Sequence, residues 1–192
     1  MAYGDTTLNA DHRWSFDNVL TDSIGSLTVT NTGGVLTATP ITRDATHSYL
    51  TNGRDDLATV APTTDTGTTG LDRYAFQGFF MVDDIQGQPC MIYKQGGNTS
   101  GFTLFIWAGN NIMLQVKDIN ANDNIQIFSD IAITSNRVYH FFVRYSGSGF
   151  SDEIEFRIDG IKMTANRNGV APGATSMTAH TGNHNWGENG RS

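Results

Sequence analysis

Two hairpins in series between Arg137 and Met163 constrain this chain more than any other stretch. Tyr139, Phe141, Val143 and Tyr145 alternate with Val138, His140, Phe142 and Arg144. That two-residue period sends successive side chains to opposite faces of a sheet. Ser146, Gly147, Ser148 and Gly149 then supply turn chemistry, because such residues accept positive φ or bond their own backbone. On the return strand Ile154, Phe156 and Ile158 oppose Glu153, Glu155 and Arg157. Asp159-Gly160 suits a tight two-residue turn, and it predicts a second reversal. Each hairpin therefore has an apolar face that needs a second sheet to cover it.

The rest of the chain repeats this pattern. Leu27–Thr30 and Val35–Thr39, around Gly33-Gly34, read as a short hairpin, and Tyr49-Leu50 and Leu57–Val60 as two further strands. Tyr74 to Val82 is apolar on both faces, the expected pattern of a central strand between layers. Phe102, Leu104 and Ile106 oppose Thr103, Phe105 and Trp107, and Ile112, Leu114 and Val116 follow the turn Gly109–Asn111. Ile125 and Ile127 alternate with Gln126 and Phe128. No stretch keeps a helical period over three turns. About a dozen short strands with turn residues between them predict an all-β, two-sheet sandwich, and 192 residues suffice for one such domain with its own core.

Composition narrows the function classes. A formal charge of −7 argues against non-specific nucleic-acid binding, which relies on clustered Lys and Arg to displace counterions. The lone Cys90 forms no internal disulfide and, beside Pro89 with no basic partner nearby, reads as a small packed residue and not a nucleophile. No apolar run reaches the roughly 18 residues of a membrane helix, so membrane insertion is not expected. The opening Met1 to Thr7 lacks the basic and apolar regions of a secretion signal.

Three segments in a fixed order carry a family resemblance: His12–Asp17 followed by Asp22–Gly25, Tyr49–Leu57, and Tyr139–Phe141 leading to Phe156–Gly160. Over residues 9 to about 165 the chain resembles the concanavalin A-like jelly rolls that include laminin G-like domains. The resemblance implies a two-sheet antiparallel jelly-roll sandwich over residues 1–165, followed by a Gly/Asn/Thr-rich tail over 166–192. The family closes with a strand near its C-terminus, whereas this tail is poor in large apolar residues, Met177 and Trp186 apart. Two expectations follow for it: a segment reaching across a neighbouring subunit without a regular closing strand, or a loose or irregular segment on its own domain.

Some relatives are glycan hydrolases, which need two carboxylates roughly 5–9 Å apart. Glu153 and Glu155 have a suitable spacing, yet the laminarinase-like Glu-x-Asp-x-x-Glu pattern is missing. They read as solvated charges pairing with Arg144 or Arg157, and no catalysis is expected. Calcium is the one candidate cofactor. Asp118, Asn120 and Asn122 place oxygens at alternate positions, although Asp123 stands where a calcium loop needs Gly and Ser129 where it needs an acid. Asp55 and Asp56, like Asp83 and Asp84, are rim candidates implied by the family. For sugar binding, Trp107 and Phe105 would form the aromatic platform, with His140, Arg144 and Arg157 lining the same concave sheet. Trp14, Phe76, Phe141 and Phe156 are expected in the core, and Trp107 is open between the two roles.

Jelly-roll domains without a secretion signal resemble bacteriophage virion components such as capsid decoration or tail-associated proteins. The first expected role is accordingly a non-catalytic virion protein, homo-oligomeric, contacting other virion or surface subunits, with a cell-surface glycan as a further candidate partner. The alternative is an extracellular carbohydrate-binding module from a secreted glycan-active protein.

Overall fold

The computed structural model describes Leu20, Gly25 and residues 27–37, 48–50, 57–61, 74–82, 90–96, 100–107, 110–118, 123–145, 154–163, 167–170 and 184–186. The strands are β1 (Thr30–Thr32), β2 (Val35–Thr37), β3 (Ser48–Leu50), β4 (Leu57–Val60), β5 (Tyr74–Met81), β6 (Cys90–Gly96) and β7 (Ser100–Ile106). They continue with β8 (Asn111–Asp118), β9 (Asp123–Ala132), β10 (Val138–Tyr145), β11 (Ile154–Ile158), β12 (Ile161–Lys162), β13 (Arg167–Val170) and β14 (His184–Trp186). One sheet has eight strands in the order β1-β4-β14-β6-β7-β8-β9-β13, and the other has four, β12-β11-β10-β5. A separate β2-β3 pair completes the described strands. The chain is an all-β sandwich of two antiparallel sheets, as the jelly-roll reading expects.

Alternation places the core. Phe102, Leu104, Ile106, Ile112, Leu114, Val116, Ile125 and Ile127 project from the large sheet. They meet Tyr139, Phe141, Val143, Ile154, Phe156 and Ile158 from the small one. Phe141 and Phe156 are buried and Phe76 packs against them, as expected; Trp14 lies outside the described residues. The buried Tyr139 hydroxyl is reached by the Thr134 backbone N–H at 2.8 Å, which satisfies a polar group that burial would otherwise penalise.

Both predicted hairpins form, with β10 pairing β11 and β11 pairing β12. Asp159 and Gly160 have φ of 50° and 81°, the doubly positive geometry of a type I′ turn that such a dipeptide favours. Gly101 is needed for a different reason: at φ 141° a Cβ there would lie 2.0 Å from the Gln95 carbonyl oxygen.

Two irregularities shift strand faces in the large sheet. The β6–β7 register slips between Met91 and Tyr93, so Met91 faces outward with Phe105 while Tyr93 faces the core. The β8–β9 register slips between Asn111 and Met113. There the buried Ser129 hydroxyl accepts from the Ile112 N–H at 2.9 Å and donates to the Ile131 carbonyl at 2.6 Å. It thereby supplies hydrogen bonds that the interrupted ladder lacks.

Three expectations are corrected. Leu27–Thr30 and Val35–Thr39 do not pair with each other: β1 joins β4 and β2 joins β3. Val29 is buried against Ala58 and Val60, which ties this segment to β4, while Gly33 at φ 80° redirects the chain. Nor, among the described residues, is Tyr74–Met81 a central strand, since β5 ends the four-stranded order there and its outward Phe79 and Met81 remain 51% and 37% exposed. Apolar residues on both strand faces reflect a core on one side and an open patch on the other.

The third correction concerns the tail. β14 inserts between β4 and β6, with Trp186 opposite Ala58 on one side and Tyr93 on the other. Its ring lies 5.5 Å from that of Tyr93 and packs against both the main core and the Val29 cluster. β13 pairs with β9. The tail thus contributes two regular strands to its own sandwich, and the division at residue 165 does not mark the end of the fold. One large aromatic at the right register anchors an otherwise polar strand, a signal that average tail composition conceals.

Candidate functional site

The outward face of the four-stranded sheet is a grid set by strand register. One row holds Ala75, Arg144 and Glu155, and the next Gln77, Phe142, Arg157 and Lys162. Phe79 and His140 form a third row, with Met81 and Val138 beyond it. These positions face outward because their strand neighbours Phe80, Tyr139, Phe141, Val143, Phe156 and Ile158 are all buried. The sheet's core alternation thereby determines which residues share the outer surface.

Side-chain contacts organise this surface. The rings of Phe79 and His140 have centroids 4.8 Å apart and are tilted at 44°. His140 Nε2 lies 3.2 Å from Gln77 Oε1. Burial holds the imidazole below its ordinary pKa, against a smaller opposing pull from the Asp159 carboxylate. Asp159 also anchors the end of the grid, accepting from the His140 backbone N–H at 2.9 Å and from Arg137 Nη2 at 2.8 Å. Arg157 Nε pairs with Glu155, and its Nη1 donates to the Gly160 carbonyl at 2.8 Å. These two contacts fix the plane of the guanidinium.

The expected sugar-binding residues divide between two opposite surfaces. His140, Arg144 and Arg157 lie together on this face. Phe105 and Trp107 lie on the outward face of the large sheet, rings 5.7 Å apart, in a cluster with Met91, Met113 and Phe128. Five residues on one concave sheet are therefore not what the fold produces, because β7 and β10 belong to different sheets. Phe105 is only 8% exposed and Met113 is fully buried. That cluster is a small packed layer, and Phe105 offers little ring surface to a ligand.

The exposed ring of this grid, Phe79, was not among the expected site residues, nor were Gln77 and Phe142. The sequence signal for Phe79 is its phase: it alternates with Phe80, so only one of the adjacent rings can reach the core. Of the calcium candidates, the backbone of Asp118 pairs directly with Asp123 across the β8–β9 connection. Asn120, Asn122, Asp55, Asp56, Asp83 and Asp84 lie outside the described residues, among which no group of three or more His, Cys, Asp or Glu could hold a metal. Glu155 is engaged by Arg157, and Glu153 lies outside the described residues.

No family model and no curated protein matches the chain. Solved structures do resemble it. Domain 4 of AbnA, a GH43 extracellular arabinanase from Geobacillus stearothermophilus solved in complex with arabinotriose, has a TM-score of 0.57 at 13% identity, over 93% of this chain and 91% of that one. A mutant of HCR/D has a TM-score of 0.62 at 13% identity, over 91% of this chain and 42% of that one. A second HCR/D mutant scores 0.55 at 13% identity, covering 88% and 44%. The chain thus spans less than half of the HCR/D chains it matches. At these identities the likeness is one of fold: a sandwich of two antiparallel sheets.

Proposed function

We propose that the chain is a carbohydrate-binding module that holds a glycan on the outward face of its four-stranded sheet. The observation carrying this reading is Phe79, an aromatic ring 51% exposed beside the polar Gln77 and His140. The C–H face of a sugar packs on such a ring, and neighbouring amide, imidazole and guanidinium groups hydrogen-bond its hydroxyls. Phe142, half-buried and diagonal to Phe79, extends the apolar floor. Arg157 is held in place before any ligand arrives, which lowers the entropy cost of binding.

The fold supports the same reading through AbnA domain 4, a sandwich of matching extent solved with arabinotriose. A glycan-binding role also fits the concanavalin A-like resemblance of the sequence. The carbohydrate-binding alternative consequently takes precedence over the virion-surface role, for which neither the outward face nor these structural neighbours supplies support.

A glycan microarray probed with the intact chain and with Phe79→Ala tests the proposal. The expected result is a restricted set of glycans bound by the wild type and lost in the variant. An array with no signal, or one unchanged by Phe79→Ala, overturns it.

A further inference from the structure

We infer that the ligand of this face is an anionic glycan, one carrying carboxylate or sulfate groups; the inference rests on the carbohydrate-binding reading above. Its basis is a local reversal of charge. The whole chain has a formal charge of −7. On the outward face of the four-stranded sheet, the described residues instead supply Arg144, Arg157 and Lys162 against the single carboxylate of Glu155. Asp159 lies at the end of the grid, where Arg137 neutralises it.

The cations are arranged as well as counted. Arg144, Arg157 and Lys162 stand on the consecutive strands β10, β11 and β12, with Arg157 directly opposite Lys162 and Arg144 directly opposite Glu155. Glu155 is taken by Arg157, and Arg144 has no ion-pair partner among the described residues. From Phe79 on β5 to Lys162 on β12 the sheet spans three strand spacings, about 14 Å. An oligosaccharide stacked on Phe79 would therefore extend its further units over the cationic strip. Arg157 has five N–H donors, of which two are committed to Glu155 and Gly160. The forked guanidinium suits planar carboxylates and sulfates better than neutral hydroxyls.

Calorimetric titration of the intact chain tests the inference with four probes: trigalacturonic acid, its methyl ester, a sulfated neutral trisaccharide and arabinotriose. The acid and its ester share their rings and differ in charge. One charge-assisted contact predicts that the acid or the sulfated probe binds about tenfold tighter than its neutral counterpart. High salt should shrink that preference. Arg144→Gln combined with Lys162→Gln should lower the affinity for the acid towards that for the ester, Arg157 alone remaining. The salt dependence of the wild type gives the same answer independently of how the variant folds. Whichever anionic probe wins identifies the anion. Equal affinities for charged and neutral probes overturn the inference while leaving carbohydrate binding intact. No binding to any probe, accompanied by a blank glycan array, removes both.

Discussion

Phe79 and His140 stand directly opposite one another on β5 and β10, their ring centroids 4.8 Å apart on the outward face of the small sheet. The pair combines an exposed ring with an imidazole whose Nε2 meets Gln77, so an apolar surface and a polar edge adjoin. The neighbouring Phe80 points the other way, stacking on Tyr139 at 5.6 Å inside the core. Phe79→Ala should consequently weaken glycan binding at least tenfold while changing stability by less than about 1 kcal/mol. Phe156→Ala, by contrast, opens a cavity at a fully buried position and should cost about 3–5 kcal/mol. Thermal denaturation and binding assays on the two variants separate these effects.

His140 predicts a pH dependence. Its folded-state pKa is lowered by burial, only partly offset by Asp159, so near its ordinary titration range the unfolded chain binds more protons. Its contribution to stability is complete above the unfolded pKa and is lost as pH falls through the folded one. Between about pH 7 and about pH 5, the wild type should lose more stability than His140→Gln. Urea denaturation at both values measures the difference, and equal losses in the two proteins contradict it.

Ser129→Ala removes the hydroxyl that bridges the Ile112 N–H and the Ile131 carbonyl. Leaving these backbone groups without that partner inside the sheet should cost about 1–3 kcal/mol. Amide exchange at Ile112 should accelerate with it, and protection equal to the wild type would show that the hydroxyl is dispensable.

Trp186 carries the C-terminal strand. Among the described residues, β14 is what joins the β1–β4 pair to the β6–β9 meander. Trp186→Ala should cost about 3 kcal/mol, the lower end for a large aromatic because the ring is half-buried. The melting temperature should then fall by roughly 10 °C. An unchanged melting temperature would mean that the tail is not integral to the sandwich.

Much of this fold was legible from period alone. The alternation of Tyr139, Phe141 and Val143 with His140, Phe142 and Arg144 identified both faces of β10, and Asp159-Gly160 identified its turn. What period does not carry is which sheet a strand joins. Phe105 with Trp107, and His140 with Arg144, each alternate correctly, yet they point away from each other across the sandwich. Long-range pairing decides that, and β14 between β4 and β6 shows how far from its sequence neighbours a strand can settle. Phe79 was obscured for a related reason. An apolar residue on either face of a strand reads as core until the register shows which face is covered.

The most direct test of the central claim is an amide and side-chain NMR titration of the intact, isotopically labelled chain with the tightest-binding oligosaccharide. The account predicts saturable shifts concentrated at Gln77, Phe79, His140, Phe142, Arg144, Arg157 and Lys162. Shifts centred instead on Phe105, Trp107 and Phe128, or no saturable shifts on either face, would contradict it.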